Sequence, residues 1–232
     1  MIRREVIDRA TTPEGGVVEL AREASGFVLY SDGRVLMTSR TRGSEEAMAR
    51  IACHHVSTRP RPRMLVGGLG MGFTLRAALD RLPADADVVC AELLPAIVEW
   101  HRGPLGPIAR RPIDDPRVRV VVGDVAEVIR AAANEPFDAI LLDVDNGPIP
   151  MTVVENWWLY AAPGLSALHA AVRPEGVLIV WSASEDDRFR ERMVAAGFAT
   201  EEVRVGARTG RRMRRGRGHA HVLWIGKRGA AP

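Results

Sequence analysis

Four short apolar runs in this chain each end in residues that can bind or move charge. The first, Met64 to Val66, breaks into glycines at 67, 68, 70 and 72 ahead of Phe73 and Thr74. Glycine lets the backbone take unusual angles there and lets a flat ligand come close. The second run, Asp87 to Glu92, ends in a carboxylate. It lies roughly twenty residues beyond the turn, where doubly wound nucleotide-binding folds place the acid that accepts from ribose hydroxyls. The third, Val118 to Asp124, ends in Gly123-Asp124, and the fourth, Phe137 to Asp145, ends in Asp143 and Asp145. A carboxylate at such a place can take a proton from an incoming amine or orient its nitrogen. Asp143 is the residue expected to do so; the alternative is a carboxylate that only caps backbone groups at the end of a strand.

These groups have to be carried by strands that alternate with helices. Helical stretches are expected over Thr74 to Arg81, Leu93 to Trp100, Leu165 to Val172 and Asp186 to Ala196, with a proline-rich loop from Pro104 to Pro116. A turn at Arg173 to Gly176 leads to a fifth strand, Val177 to Ser182, and Val203 to Val205 with His221 to Gly226 form a closing antiparallel pair. The pattern predicts an α/β, doubly wound sheet. Parallel strands deliver their C-terminal ends to one edge, so Gly68 to Gly72, Glu92, Asp124 and Asp143 should meet in one crevice. Ahead of it, residues 1–62 form a small β unit around the Asp32-Gly33 hairpin signal. That unit ends in a helix with Ser44 as its expected N-cap. The doubly wound α/β domain then runs over 63–232.

The turn Gly67-Gly68-Leu69-Gly70-Met71-Gly72-Phe73-Thr74, with Glu92, Gly123-Asp124 and Asp143, resembles the S-adenosylmethionine-type Rossmann-like transferases. Asp114 to Val118 and Asn146-Gly147-Pro148 resemble the spermidine synthase branch of them. The likeness runs from about Ser25 to Trp224. It implies a Rossmann-like, mostly parallel seven-stranded sheet with an antiparallel last strand. It also implies S-adenosylmethionine, or its decarboxylated form, as co-substrate, with no metal. By position, Gly68, Gly70, Met71 and Gly72 lie against the methionine part of the donor, Glu92 and Leu93 at the ribose, and Asp124 and Val125 at the adenine. Asp143 faces the reacting amine, and Glu46, Asp145, Asn146, Trp157 and Tyr160 shape the acceptor pocket. The chain departs from the branch at two places. Met71 stands where spermidine synthases carry an aspartate, and Ser44-Glu45-Glu46 stands for their Tyr-His-Glu, so only the last acid, Glu46, is kept. These departures rank methyl transfer above aminopropyl transfer. A true aminopropyltransferase and a non-catalytic nucleotide- or nucleic-acid-binding module are the alternatives.

Simpler readings sit beside these. Glu45 and Glu46 can complement a helix dipole, and the aromatics at 157, 158 and 160 can cover the core. The net charge is only +3, yet arginines cluster from Arg208 to Arg217 between the last two expected strands. No aromatics are interleaved with them, so a solvated loop is expected rather than a nucleic-acid site. No apolar run approaches the roughly 18–20 residues of a membrane span, and the start lacks a basic-then-apolar leader. Cys53 and Cys90 lack metal-ligand spacing. A cytoplasmic chain acting on a small, amine-type acceptor is expected, and the resemblance implies a homodimer.

Overall fold

A computed structural model describes residues 4–144, 157–213 and 220–230. The chain starts with a four-stranded antiparallel sheet: β1 (Glu5–Thr11), β2 (Val17–Glu23), β3 (Gly26–Ser31) and β4 (Arg34–Thr38), in that order. The Asp32-Gly33 turn joins β3 to β4, with both residues at positive φ (47° and 77°), as a tight hairpin turn with matching twist requires. Strand β1 was not visible in the sequence. It is mostly exposed and has no clean apolar alternation; its pairing with β2 makes it a strand.

Helix α1 (Gly43–His55) follows, then β5 (Arg63–Gly67), α2 (Phe73–Leu79), β6 (Asp87–Glu92), α3 (Pro95–Arg102), β7 (Val118–Val122), α4 (Val125–Ala131) and β8 (Phe137–Leu142). Further on come α5 (Trp157–Tyr160), α6 (Ala162–Ala171), β9 (Val172–Ser182), α7 (Asp187–Ala195), β10 (Phe198–Gly206) and β11 (Ala220–Arg228). The large sheet has the order β10-β11-β9-β8-β5-β6-β7, parallel except for β11, which runs antiparallel to both its neighbours. From β5 the chain winds outward to β6 and β7 and then returns to place β8 on the other side of β5. That reversal opens the crevice in which doubly wound sheets bind ligands.

Burial explains the strands. Every residue of β8 is buried, as helices on both faces of a parallel sheet demand. Alternate residues feed two different cores. Met64, Val66, Val88 and Leu141 join one that also takes in Leu20 and Leu29 of the small sheet, Met48 of α1 and Ile97 of α3. Leu65, Val89, Ile140 and Leu178 join the other, with Leu165, Phe189 and Trp224. The small sheet is therefore packed onto one face of the large one. A polar contact reinforces this, Trp100 Nε1 of α3 donating to Asp8 Oδ2 of β1 at 2.7 Å.

Two local expectations are corrected. The stretch Arg173 to Gly176 lies within β9 as a bulge: Phe137 pairs with Val172 but Ala139 pairs with Val177, and Glu175 sits at φ 62°. Ser44 is not an N-cap. Helix α1 begins one residue earlier, and the Gly43 N–H donates to Ala207 O at 2.8 Å, so backbone from the far end of the sheet serves this helix start. At the start of the arginine-rich stretch Arg208, Arg211 and Arg212 are exposed, while Gly210 between them packs on Gly43 and its carbonyl oxygen accepts from Arg50 at 3.1 Å. Arg214, Arg215 and Arg217 lie outside the described residues. Helix α1 packs on α2 and on the large sheet. Among the described residues no helix is long and apolar enough to cross a membrane.

Candidate active site

The glycine turn is built by three different constraints. At Gly68 (φ 90°) a Cβ would lie 2.4 Å from the Asp143 carbonyl oxygen, so only glycine lets β5 pass this close to the end of β8. At Gly72 (φ 79°) it would lie 2.7 Å from the His101 ring, whose Nε2 is 3.0 Å from Gly70 O. Since a carbonyl only accepts, Nε2 carries the hydrogen. Burial holds the His101 pKa below its ordinary value, so the ring stays neutral under the turn. His101 is a supporting residue that the sequence did not single out. Gly70 (φ 48°) faces the cavity, and the nearest atoms to a Cβ there are Met37 Cε and Sδ of β4, at 3.1 and 3.2 Å.

Glu92 closes β6 and is almost wholly buried. Its Oε2 accepts from Leu69 N and its Oε1 from Leu94 N, both at 2.9 Å, so it ties the turn to the start of α3. These bonds explain why α3 starts at Pro95 rather than at Leu93. Burial raises the Glu92 pKa against the lowering effect of the amides. Asp124 caps α4, its Oδ1 accepting from Ala126 N at 2.8 Å. Asp143 follows β8, and Thr74 Oγ1 in the first turn of α2 donates to its Oδ2 at 2.9 Å.

The cavity-facing part of the turn and the three carboxylates surround one cavity of about 530 Å³ between the two sheets. Gly68, Gly70, Glu92, Leu93, Asp124, Val125 and Asp143 line it, as do Thr38 and Met37 of the small sheet, Trp181 of β9 and His221 of β11. Two expected members are elsewhere. Met71 is fully buried in the core, and Gly72 turns toward His101, Ala109 and Pro112. The turn position that faces the cavity without a side chain is thus Gly70.

The acceptor side differs from expectation in the same way. Glu46 points outward and pairs with Arg42 at 3.1 Å, whereas Glu45 is only 5% exposed and lines the cavity. Tyr160 is buried, stacks edge-on against Phe189, and donates to Val144 O at 3.1 Å. It holds the chain just after Asp143 and does not line the cavity. Trp157 opens α5, while Asp145 and Asn146 lie outside the described residues.

Both Glu45 and Asp143 are perturbed by the cavity wall. Burial raises Glu45 to about 7, and the Asp143 charge pushes in the same direction. Burial raises Asp143 to about 6 against the Thr74 hydrogen bond. Glu45 is reached from the other side by Ser44, whose Oγ donates to Glu45 Oε2 at 2.6 Å and lies 2.8 Å from His221 Nδ1. The described lining holds six carboxylates (Glu14, Asp32, Glu45, Glu92, Asp124 and Asp143) and no lysine or arginine. A chain of positive net charge has thus concentrated negative charge in one crevice, which favours cationic ligands.

The family model for the spermine/spermidine synthase domain matches residues 43–194. The chain belongs to the spermine/spermidine synthase family. Among curated relatives, it is 29% identical over 169 residues to the polyamine aminopropyltransferase of Mycobacterium tuberculosis (strain ATCC 25618 / H37Rv), covering 72% of this chain and 31% of the relative. It is 34% identical over 131 residues to polyamine aminopropyltransferase 2 of Caldanaerobacter subterraneus subsp. tengcongensis, covering 55% of this chain and 41% of that one. Putrescine N-methyltransferase 2 of Nicotiana attenuata is 32% identical over 125 residues, which is 54% of this chain and 32% of that one. The chain therefore spans less than half the length of these relatives. In fold it is similar to spermidine synthase from Thermotoga maritima, with a TM-score of 0.74 at 20% identity over 98% of this chain and 74% of that one. A spermidine synthase in complex with the transition state analogue AdoDATO gives a TM-score of 0.73 at the same identity and the same coverage of both chains. This architecture is that of the spermidine synthases, mostly parallel large sheet and small N-terminal antiparallel sheet included.

Proposed function

We propose that this protein transfers an aminopropyl group from decarboxylated S-adenosylmethionine to an aliphatic polyamine. The observation that carries the reading is the cavity lining, six carboxylates without a lysine or arginine among the described residues. Decarboxylated donor and polyamine are both cations. Intact S-adenosylmethionine carries a carboxylate that would meet like charge on several sides with no basic side chain to pair with. Of the two departures that favour methyl transfer, the Met71 side chain is in the core, and at Ser44-Glu45-Glu46 a carboxylate, Glu45, lines the cavity. The relatives support the same choice, most being polyamine aminopropyltransferases.

The chemistry is one displacement. The amine nitrogen attacks the carbon next to sulfur, the carbon–sulfur bond breaks with its electron pair on sulfur, and the sulfonium becomes a neutral thioether. The enzyme's task is alignment and exclusion of water. Glu92 and Asp124 at the strand ends hold the nucleoside, and Asp143, fixed by Thr74, orients the acceptor nitrogen. Methyl transfer remains the second reading, favoured by one observation: the cavity-facing position of the turn, Gly70, offers no carboxylate to a donor amine.

Calorimetry and product analysis separate the two. We expect decarboxylated S-adenosylmethionine to bind at least tenfold more tightly than the intact form, a difference of about 1.4 kcal/mol. With putrescine it should release methylthioadenosine. Release of S-adenosylhomocysteine from the intact donor would establish methyl transfer instead, and turnover of neither donor with any polyamine would remove both readings.

A further inference from the structure

Glu45, Ser44 and His221 are brought together from opposite ends of the chain, helix α1 and strand β11, and family resemblance assigned a role to none of them. Glu45 is buried at the cavity wall with one oxygen on the Ser44 hydroxyl, and that hydroxyl touches the His221 ring. His221 also lines the cavity and packs edge-on against Trp181, ring centroids 4.5 Å apart. The arrangement has a mechanical cause. Gly43 sits so close to the backbone of 208–210 that a Cβ would lie 2.4 Å from Gly210 N, and this clamps the start of α1 beside the root of β11.

We propose that Glu45 is the base that takes the proton from the acceptor ammonium, and that Ser44 and His221 carry this proton away from the reaction centre. This rests on the amine-acceptor reading above. Asp143 is the poorer base of the two, because burial raises it only to about 6 against about 7 for Glu45, and because the hydrogen bond on Glu45 leads on through Ser44 to His221. It stays ionised as the counter-charge. Glu45, held near the working pH by burial and by the Asp143 charge, is matched to proton transfer. Asp143 and Glu46 are the charges acting on Glu45; Glu14, Asp32, Glu92, Asp124 and His221 are the other titratable groups of the lining.

The step balances as follows. The ammonium N–H proton passes to a Glu45 oxygen and frees the nitrogen lone pair. That pair forms the new bond to carbon while the carbon–sulfur pair goes to sulfur. Once Glu45 is protonated the Ser44 hydroxyl turns from it to Nδ1, the hydrogen-free nitrogen of a neutral His221 ring; Glu45 O–H then gives its proton to Ser44 Oγ as the hydroxyl proton moves to Nδ1, leaving Glu45 ionised and His221 an imidazolium. Distances of 2.6 and 2.8 Å allow this without movement of the backbone.

The test uses the full chain with decarboxylated S-adenosylmethionine and putrescine. Glu45→Gln should lower kcat by at least 100-fold, within the range for loss of a general base, and leave donor affinity within twofold of the wild type. Ser44→Ala removes a hydrogen bond that lowers the Glu45 pKa. It should shift the acid limb of the kcat/KM profile to higher pH and lower kcat about tenfold, and Ser44→Thr should restore both. If Glu45→Gln binds donor normally and keeps kcat and the pH profile within twofold of wild type, Glu45 is not the base, and the proposed function stands without it. An unchanged profile in a well-folded Ser44→Ala refutes the relay. If the wild type itself transfers nothing to any amine, the functional reading falls and this inference with it.

Discussion

Glu45 and Asp143 illustrate how a single side chain can oppose folding in order to serve a site. Both have raised pKa values, so the folded chain binds more protons than the unfolded one in the range between ordinary carboxylate values and about 7. By linkage, stability is then greatest below that range and falls as pH rises through it. We expect the urea midpoint of the wild type to drop between pH 5 and pH 8. Glu45→Gln, which removes one of these two titrating groups, should show a visibly smaller drop. Equal drops in the two proteins would mean that Glu45 is not perturbed by its surroundings. The same logic explains why a cationic acceptor should stabilise the protein most at the higher pH, where both carboxylates are charged.

At the scale of elements, the start of α1 decides the chemistry of the cavity wall. Its first N–H is served by Ala207 O, and Gly43 fits only because it has no side chain. A methyl group there meets backbone at 2.4 to 2.6 Å on three atoms, Gly210 N, Arg208 C and Thr209 N, none of which is the flexible end of a side chain. Gly43→Ala should therefore push α1 away from β10 and β11 and cost about 1–3 kcal/mol, the scale of overpacking. Thermal melting reads the loss of stability. Weaker putrescine binding with less change in donor binding would show that Glu45 moved with the helix. A melting point within a degree of the wild type would refute the clamp.

For the whole molecule, the question is how two sheets make one cavity. The small sheet contributes Met37, Thr38 and Leu29, and the large one contributes the glycine turn and the acids. Their contact depends on shared apolar burial and on the hydrogen bond from Trp100 to Asp8, which is also the main reason that the Asp8 pKa is lowered. Asp8 is exposed, so the bond is worth only about 1 kcal/mol. Asp8→Ala, which removes the bond at its exposed end and leaves Trp100 packed in the core, should thus change global stability little. It should still raise hydrogen exchange selectively in β1 and β2 and weaken donor binding, since that wall then detaches more often. Uniform exchange throughout the chain would mean that the two sheets open as one unit.

Glycines followed by a helix, and apolar runs ending in Glu92, Asp124 and Asp143, were legible in the sequence because each is a local pattern: an unbroken apolar run along a strand of a parallel sheet, then chemistry where the strand stops. Once the strands are parallel, their ends share an edge, and the crevice follows without knowledge of any contact. The choice between Glu45 and Glu46, or between Gly70 and Met71, was not legible in the same way. Adjacent helix residues point about 100° apart, and residues of a tight turn alternate sides just as sharply. Which of two neighbours faces the ligand depends on how the element is docked. For α1 that docking is set by Gly43 against residues 208–210, more than 160 positions along the chain, and for the turn by His101 beneath Gly72 and Met37 above Gly70. Tyr160, chosen from its place near the fourth strand, went to the core because Val144 O and Phe189 offered its two ends partners there. Sequence alone thus determined the chemistry of the strand ends. Tertiary packing, which acts between residues far apart in the chain, decided which side chains join them in the cavity.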